Sequence, residues 1–388
     1  MDTKKLPYLK ILFLVAALAM AFFSGKEFYE LRHYKETFVS APGLTEVKML
    51  SDYLSNIKGT WMDTPIFVYD SGVPGGSVLY MANVHPYEPA TSLAAYILME
   101  NIKVTKGKVF VIPQGNRSGS TTGMLANAYP KFFHVPTEFG EKKLRIGDRG
   151  TNPLDQWPDP FTYVNYPSKQ NLAYQDIRNM NRTYPGRADG TLTERASFAV
   201  MELIRKEKID LSIDTHEASM MYPVVSTYVA HERSFDLAMM AAMTLTAGTF
   251  DMKSESSPKG LRGLSHREWG DYSDTLAILM ETPEPFIDRV VGPMTEKLFT
   301  EGKDEFLATA AKHGLTYAPY TIEFGSPLWY RCGRHLSGSL EAINWMGQFF
   351  PEKEVIVEWP TYQQLKDHDC GFFFHDPAKA DPKLVFEI

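Results

Sequence analysis

The chain has 388 residues, 44% of them hydrophobic and 22% charged, the make-up of a globular protein with room for one large domain and an appendage. A formal net charge of -7 leaves no electrostatic footprint for nucleic acid, which is excluded as an expected partner. The sequence shows no internal repeat and no low-complexity tract, which excludes a solenoid or a disordered chain.

The first 24 residues stand apart from the rest. Lys4, Lys5 and Lys10 precede an apolar run over residues 11–23, and Ala19-Met20-Ala21 is a small-x-small pattern. A basic start, a short apolar stretch and such a site describe a secretory signal peptide; the rival reading is an N-terminal membrane anchor. Either way an extracytoplasmic location is expected: periplasmic, secreted or membrane-anchored, with a membrane tether in the last case. Export also bears on Cys332 and Cys370, the two cysteines. An oxidising compartment permits a single disulfide between them, and two buried free thiols are the alternative.

Residues 66–69 and 77–84 read as strands joined at Pro74-Gly75-Gly76. Pro89 opens a helix whose buried stripe is Ala90, Leu93, Ala94, Ile97 and Leu98, and 108–113 is a further apolar strand. Residues 114–190 lack a period and are dense in Pro, Asn, Tyr and Arg, as expected of a binding surface. Thr191-Leu192-Thr193-Glu194 is a capping box for a helix reaching about residue 208. Ile209, Leu211 and Ile213 alternate in a strand that delivers His216 at its end. Ser234 caps a helix ending near Gly248, and 276–280 is a strand terminated by Glu281-Thr282-Pro283.

Strands that alternate with helices imply a three-layer α/β/α sandwich around a largely parallel sheet. In such sheets ligands bind beyond the carboxyl ends of the strands, where His85, His216 and Glu281 all fall. His85-x-x-Glu88 with a distant His216 is a three-ligand set suited to a catalytic zinc, the fourth position being left to water. Asp214 is placed to orient His216, while alternation turns Glu217 to the other side, toward solvent. Glu281, ending an apolar strand, is expected to carry a raised pKa and to act as general acid and base. In the irregular stretch, Asn181 and Arg182 are suited to a substrate carboxylate, with Arg117, Arg145, Arg149 and Arg178 as supporting cations.

The ordered set His85-x-x-Glu88, Asn181-Arg182-Thr183-Tyr184-Pro185-Gly186, Ile213-Asp214-Thr215-His216 and Leu279-Met280-Glu281 resembles the M14-type zinc carboxypeptidases. The Asn-Arg-x-Tyr-Pro-Gly string looks like their succinylglutamate desuccinylase/aspartoacylase branch. The resemblance covers about residues 60–285. It implies a mixed sheet between helices and one Zn2+ per chain at His85, Glu88 and His216. It further implies substrate contacts from Asn181 and Arg182 and acid/base work by Glu281. No arginine matches the family's upstream carbonyl-polarising position, for which Arg178 is taken as the substrate-binding candidate. Pro86 and Asn179 depart from the family, which usually has Gly and Asp there.

The resulting expectation is a signal or anchor over 1–24, a catalytic domain over 40–315 and a small C-terminal extension over 316–388. The activity expected is hydrolysis of an amide bond beside a carboxylate, on a small N-acyl amino acid or a peptide. A non-catalytic ligand-binding protein on the same fold is the alternative. A serine hydrolase built on Ser337 or Ser339 lacks the required Gly-x-Ser-x-Gly elbow. The sequence leaves the oligomeric state open.

Overall fold

The computed structural model describes residues 6–123, 130–287 and 291–388, and the chain divides into two units, Met1–Lys35 and Glu36–Ile388. In the first, Leu6–His33 (α1) is one continuous helix. It carries a window of mean hydropathy 1.9 and is long and apolar enough to cross a membrane, a property that a signal sequence shares. The helix therefore runs past the apolar stretch that the sequence marked at residues 11–23.

The second unit is built on an eight-stranded mixed sheet. Its strands are Glu46–Met49 (β1), Pro65–Asp70 (β2), Ser77–Met81 (β3), Lys108–Ile112 (β4), Leu211–Ser219 (β5), Thr227–Ala230 (β6), Lys253–Ser256 (β7) and Leu276–Glu284 (β8). Across the sheet the order is β7-β6-β8-β5-β3-β4-β2-β1. The central run β8-β5-β3-β4 is parallel, and antiparallel pairs flank it at β6–β8, β4–β2 and β2–β1.

Side-chain alternation along each strand sorts the core into two layers. Val78, Tyr80, Leu211, Ile213, Ile278 and Met280 face Pro89–Asn101 (α2), with further cover from helices introduced below. Leu79, Met81 and Ala277 face the opposite way, against Leu192–Lys206 on the other side of the sheet. The short helix Met180–Thr183 (α3) and Leu192–Lys206 (α4) are followed by Phe235–Gly248 (α5), Ser265–Tyr272 (α6) and Leu328–Phe349 (α7). Helices α2, α5 and α7 cover one face and α4 and α6 the other, completing the expected sandwich.

Two local expectations meet different outcomes. The capping box at α4 forms, with Glu194 N–H on Thr191 Oγ1 and Thr191 N–H on Glu194 Oε2 at 2.9 Å. Helix α2 instead is buried on every side from Pro89 to Glu100, beyond a single stripe, because α7 packs over the side that would otherwise meet solvent. Residues 316–388, expected as an extension, thus supply a helix to the main core. Their end returns as well, since Val385–Glu387 pairs with Thr37–Val39. Cys332 and Cys370 are buried free thiols.

Candidate metal centre and its cleft

Strand β3 ends at Met81, and Asn83 takes a left-handed conformation (φ 59°) that turns the chain toward α2. Its side chain is fixed on Ser120 Oγ at 2.9 Å, and its N–H is fixed on Thr91 Oγ1. His85 follows in this turn and Glu88 is the residue before α2. On the neighbouring strand, pairing of β5 with β3 stops at Asp214↔Met81, but pairing of β5 with β8 continues to Ser219↔Glu284. Both strands therefore run three residues past the ends expected at His216 and Glu281. Proline donates no ladder bond, which is why the sequence ended β8 there. Pro283 lies beyond the last pair with β6, Thr227↔Glu281, so that side asks no donation of it.

The three predicted metal ligands come together. His85 Nδ1 lies 2.8 Å from Glu88 Oε1, His216 Nδ1 lies 3.0 Å from Glu88 Oε2, and the two Nδ1 atoms are 3.1 Å apart. One donor atom from each residue falls within 4.8 Å of the others, and all three residues are buried. The second nitrogen of His85 is held, Nε2 on Asn179 Oδ1 at 2.9 Å, and that of His216 lies 2.9 Å from Asp214 Oδ2 as an ion-pair contact. Metal-binding histidines are oriented in this way, with the outer partner fixing which nitrogen faces the ion. Two imidazoles and a carboxylate, with an acceptor behind each ring, fit a zinc ion of the catalytic type.

Asn179 has two tasks in this arrangement. Its Oδ1 accepts from His85 and also from the Asn181 backbone N–H at 2.9 Å, capping α3. A neutral amide thus orients one histidine and a carboxylate the other. Asp214 in turn accepts from Ser265 Oγ at the start of α6.

Electrostatics follow the burial. Burial lowers the His85 pKa to about 4 despite Glu88 beside it. Burial would depress His216 too, but the Asp214 and Glu88 carboxylates hold it well above the usual histidine range. Glu88 moves the other way: burial opposes ionisation, and the two histidines overcome it and pull its pKa down. Glu281 is pushed up to about 8, chiefly by burial, with Glu88 and Asp214 adding to the rise and His216 and Arg149 opposing it. Its Oε2 is buried without a hydrogen-bond partner among the described residues.

His85, Glu88 and Glu281 line one cleft of about 520 Å³, which also takes in Tyr87, Arg149, Asn181, Arg182, Glu217, Tyr222 and His266. Apolar residues Val229, Leu261, Leu264 and Leu279 complete a wall. The Asn181–Arg182 pair is clamped from the far side. Ser265 N–H donates to Asn181 Oδ1 at 2.9 Å, and Tyr184 N–H donates to Gly263 O at 3.2 Å. Gly263 has φ 85°, and a Cβ there would collide with the Arg182 carbonyl, so only glycine fits this approach. With its amide oxygen committed, Asn181 has its NH2 as the group to offer a ligand.

Arg178 is engaged elsewhere. Its Nε donates to both carboxylate oxygens of Asp159 at 3.0 Å and its Nη1 to Thr151 O, and it is not among the cleft-lining residues. The cation that does line the cleft beside Arg182 is Arg149, which the sequence offered among several without a means of choosing.

Glu217 corrects the expectation of a solvated side chain. Alternation does turn it away from His216, but that face of β5 lies under α2 and α7. Glu217 is buried, accepts the Ala90 N–H at 2.8 Å and pairs with Arg331 Nη1 at 2.9 Å. Its own N–H donates to Glu88 Oε2 at 3.0 Å. His266 had no visible partner in the sequence, yet it is buried in the cleft wall with Nδ1 2.8 Å from Ser257 Oγ.

No family model and no curated protein matches the chain. Among solved structures it is similar in part to a succinylglutamate desuccinylase/aspartoacylase from Rhodobacter sphaeroides (16% identity, 56% of this chain and 51% of that one, TM-score 0.35). A metallo-carboxypeptidase from Burkholderia cenocepacia shares 12% identity over 62% of this chain and 56% of that one, with a TM-score of 0.39. The product-bound cell shape determinant Csd4 from Helicobacter pylori shares 11% identity over 79% and 60%, with a TM-score of 0.44. The match thus spans little more than half the length of these structures.

Proposed function

We propose that the chain is an exported, zinc-dependent hydrolase that cleaves an amide bond next to a carboxylate. The observation that carries this reading is that His85 and Glu88, grouped with His216, share one cleft with Asn181, Arg182 and Glu281, whose Oε2 has no hydrogen-bond partner among the described residues. When bound, zinc supplies Lewis-acid polarisation of the scissile carbonyl and acidifies water at its open position.

The chain's own groups divide the remaining work. Arg182, beside Arg149 in the cleft, receives the substrate carboxylate, and the Asn181 NH2 adds a neutral donor. Glu281 takes the proton of the attacking water at a carboxylate oxygen and returns it to the leaving amine. Its raised pKa suits both halves of that exchange. Asn179 and Asp214 hold the two imidazoles in the tautomers that present Nδ1.

Two substrate forms fit this chemistry, an N-acyl amino acid and a peptide cut at its carboxyl end. A roof from the C-terminal segment would favour the small substrate. Among the described residues none of the cleft lining comes from 316–388, which favours the peptide form. Helix α1 supports export, either as a leader that is removed or as a tether that is kept. The test is turnover of a panel of N-acyl amino acids and short peptides with and without a chelator. Chelator-sensitive release of the C-terminal residue is expected; turnover unaffected by complete zinc removal would refute the proposal.

A further inference from the structure

Building on that reading of the cleft, we infer that His266 selects the side chain of the residue released, favouring a terminal carbonyl oxygen, amide or acid, over an apolar end. The residue is 3% exposed and lines the same cleft as Leu261, Leu264, Leu279 and Val229. Those four would pack the methylene stem of a side chain, and His266 is the polar group among them.

The tautomer of His266 follows from its neighbour. Ser257 is buried, and its hydroxyl makes one side-chain hydrogen bond among the described residues, to His266 Nδ1 at 2.8 Å. Were Nδ1 the donor, the Ser257 hydrogen would be buried without an acceptor, which costs free energy. The hydroxyl therefore donates to Nδ1, and the ring carries its hydrogen on Nε2. An N–H in the cleft wall asks for an acceptor. Burial, together with the guanidinium charges of Arg182 and Arg267, keeps the ring neutral. The same charges make the wall favourable to an oxygen and hostile to an ammonium group. Glu255 stands on the same cleft, so an amide is expected to outrank an acid.

The test uses the full-length, zinc-loaded Glu281→Gln chain, with acetyl-alanyl dipeptides ending in glutamine, glutamate or norleucine. By calorimetry the glutamine peptide should bind about 10- to 100-fold more tightly than the norleucine peptide, the range for a buried hydrogen bond lost on one side. His266→Leu should bring the two within about threefold. Ser257→Ala, which frees the tautomer and leaves the ring in place, should give an intermediate ratio, and it serves where His266→Leu does not fold. Equal binding of all three peptides, or a preference that survives both substitutions, overturns the role of His266. Turnover by the unsubstituted enzyme separates the two claims. A binding preference without any hydrolysis overturns the hydrolase reading and leaves the selectivity standing. Equal hydrolysis of all three does the reverse.

Discussion

His216 and Glu281 are register partners on the parallel pair β5–β8, so an imidazole of the proposed metal centre and a carboxyl group whose Oε2 has no hydrogen-bond partner among the described residues project side by side from one face of the sheet. Both strands extend beyond the reach of β3, which makes room for His85 and Glu88 to approach from the turn after β3. The site's geometry is a consequence of unequal strand lengths at one sheet end.

The carboxylate-reading role of Arg182 can be tested by comparing substrates with free and amidated carboxyl termini. Arg182→Ala should lose about 100-fold or more in kcat/KM on the free acid, a charge-assisted contact being worth roughly 2–4 kcal/mol when desolvated. On the amide the loss should be small. Equal losses on both would mean that Arg182 does not read the carboxylate.

Asn179 supplies an uncharged partner to His85 where Asp214 supplies a charged one to His216. Asn179→Leu should weaken zinc binding about 10- to 100-fold. Asn179→Asp keeps the cap on α3 and adds charge behind the ring, so it should tighten binding. Competition with a calibrated zinc chelator gives both values.

The Glu217–Arg331 pair joins β5 to α7 away from solvent. Arg331→Met leaves a buried carboxylate without its cation and should destabilise the fold by about 3–5 kcal/mol. Glu217→Gln added to it should recover part of that loss. Denaturant unfolding of the two variants checks the order.

His335 on α7 is buried against Thr282 Oγ1 at 3.0 Å, and burial lowers its pKa from 6.5 to about 3. The folded value lies below the unfolded one, so the unfolded chain binds the extra proton as pH falls. Stability from this group is complete above about pH 6.5 and declines by about 1.4 kcal/mol per pH unit below it, down to about pH 3. His335→Gln should flatten the acid side of a plot of unfolding free energy against pH. An unchanged slope between pH 6 and 4 would show that His335 does not titrate on unfolding.

Much of this arrangement is legible in the sequence because it is local. Pro89 opening α2 and the Thr191–Glu194 box each depend on a few neighbouring residues, and each forms where the pattern places it, whereas the strand expected over 77–84 stops at Met81 and leaves His85 to the turn that follows. His216 and Glu281 were legible through alternation, since burial on a strand repeats every second residue. What the pattern did not carry is which faces are covered twice. Glu217 alternates away from His216 as expected, but helix α7, more than 100 residues later in the chain, closes over its side chain. The choice of Arg149 over Arg178 was hidden for a similar reason. Asp159 claims Arg178 within a stretch that has no period to read. His266 is set in the cleft by a contact with Ser257 that has no sequence signature.

The most direct test of the hydrolase reading is zinc content and turnover measured together on the Glu281→Gln chain. About one zinc per chain should be retained, because the proposed ligands are His85, Glu88 and His216, while release of the C-terminal residue should fall at least about 1,000-fold. Retained turnover in this variant, or a wild-type chain that binds no zinc, would contradict it.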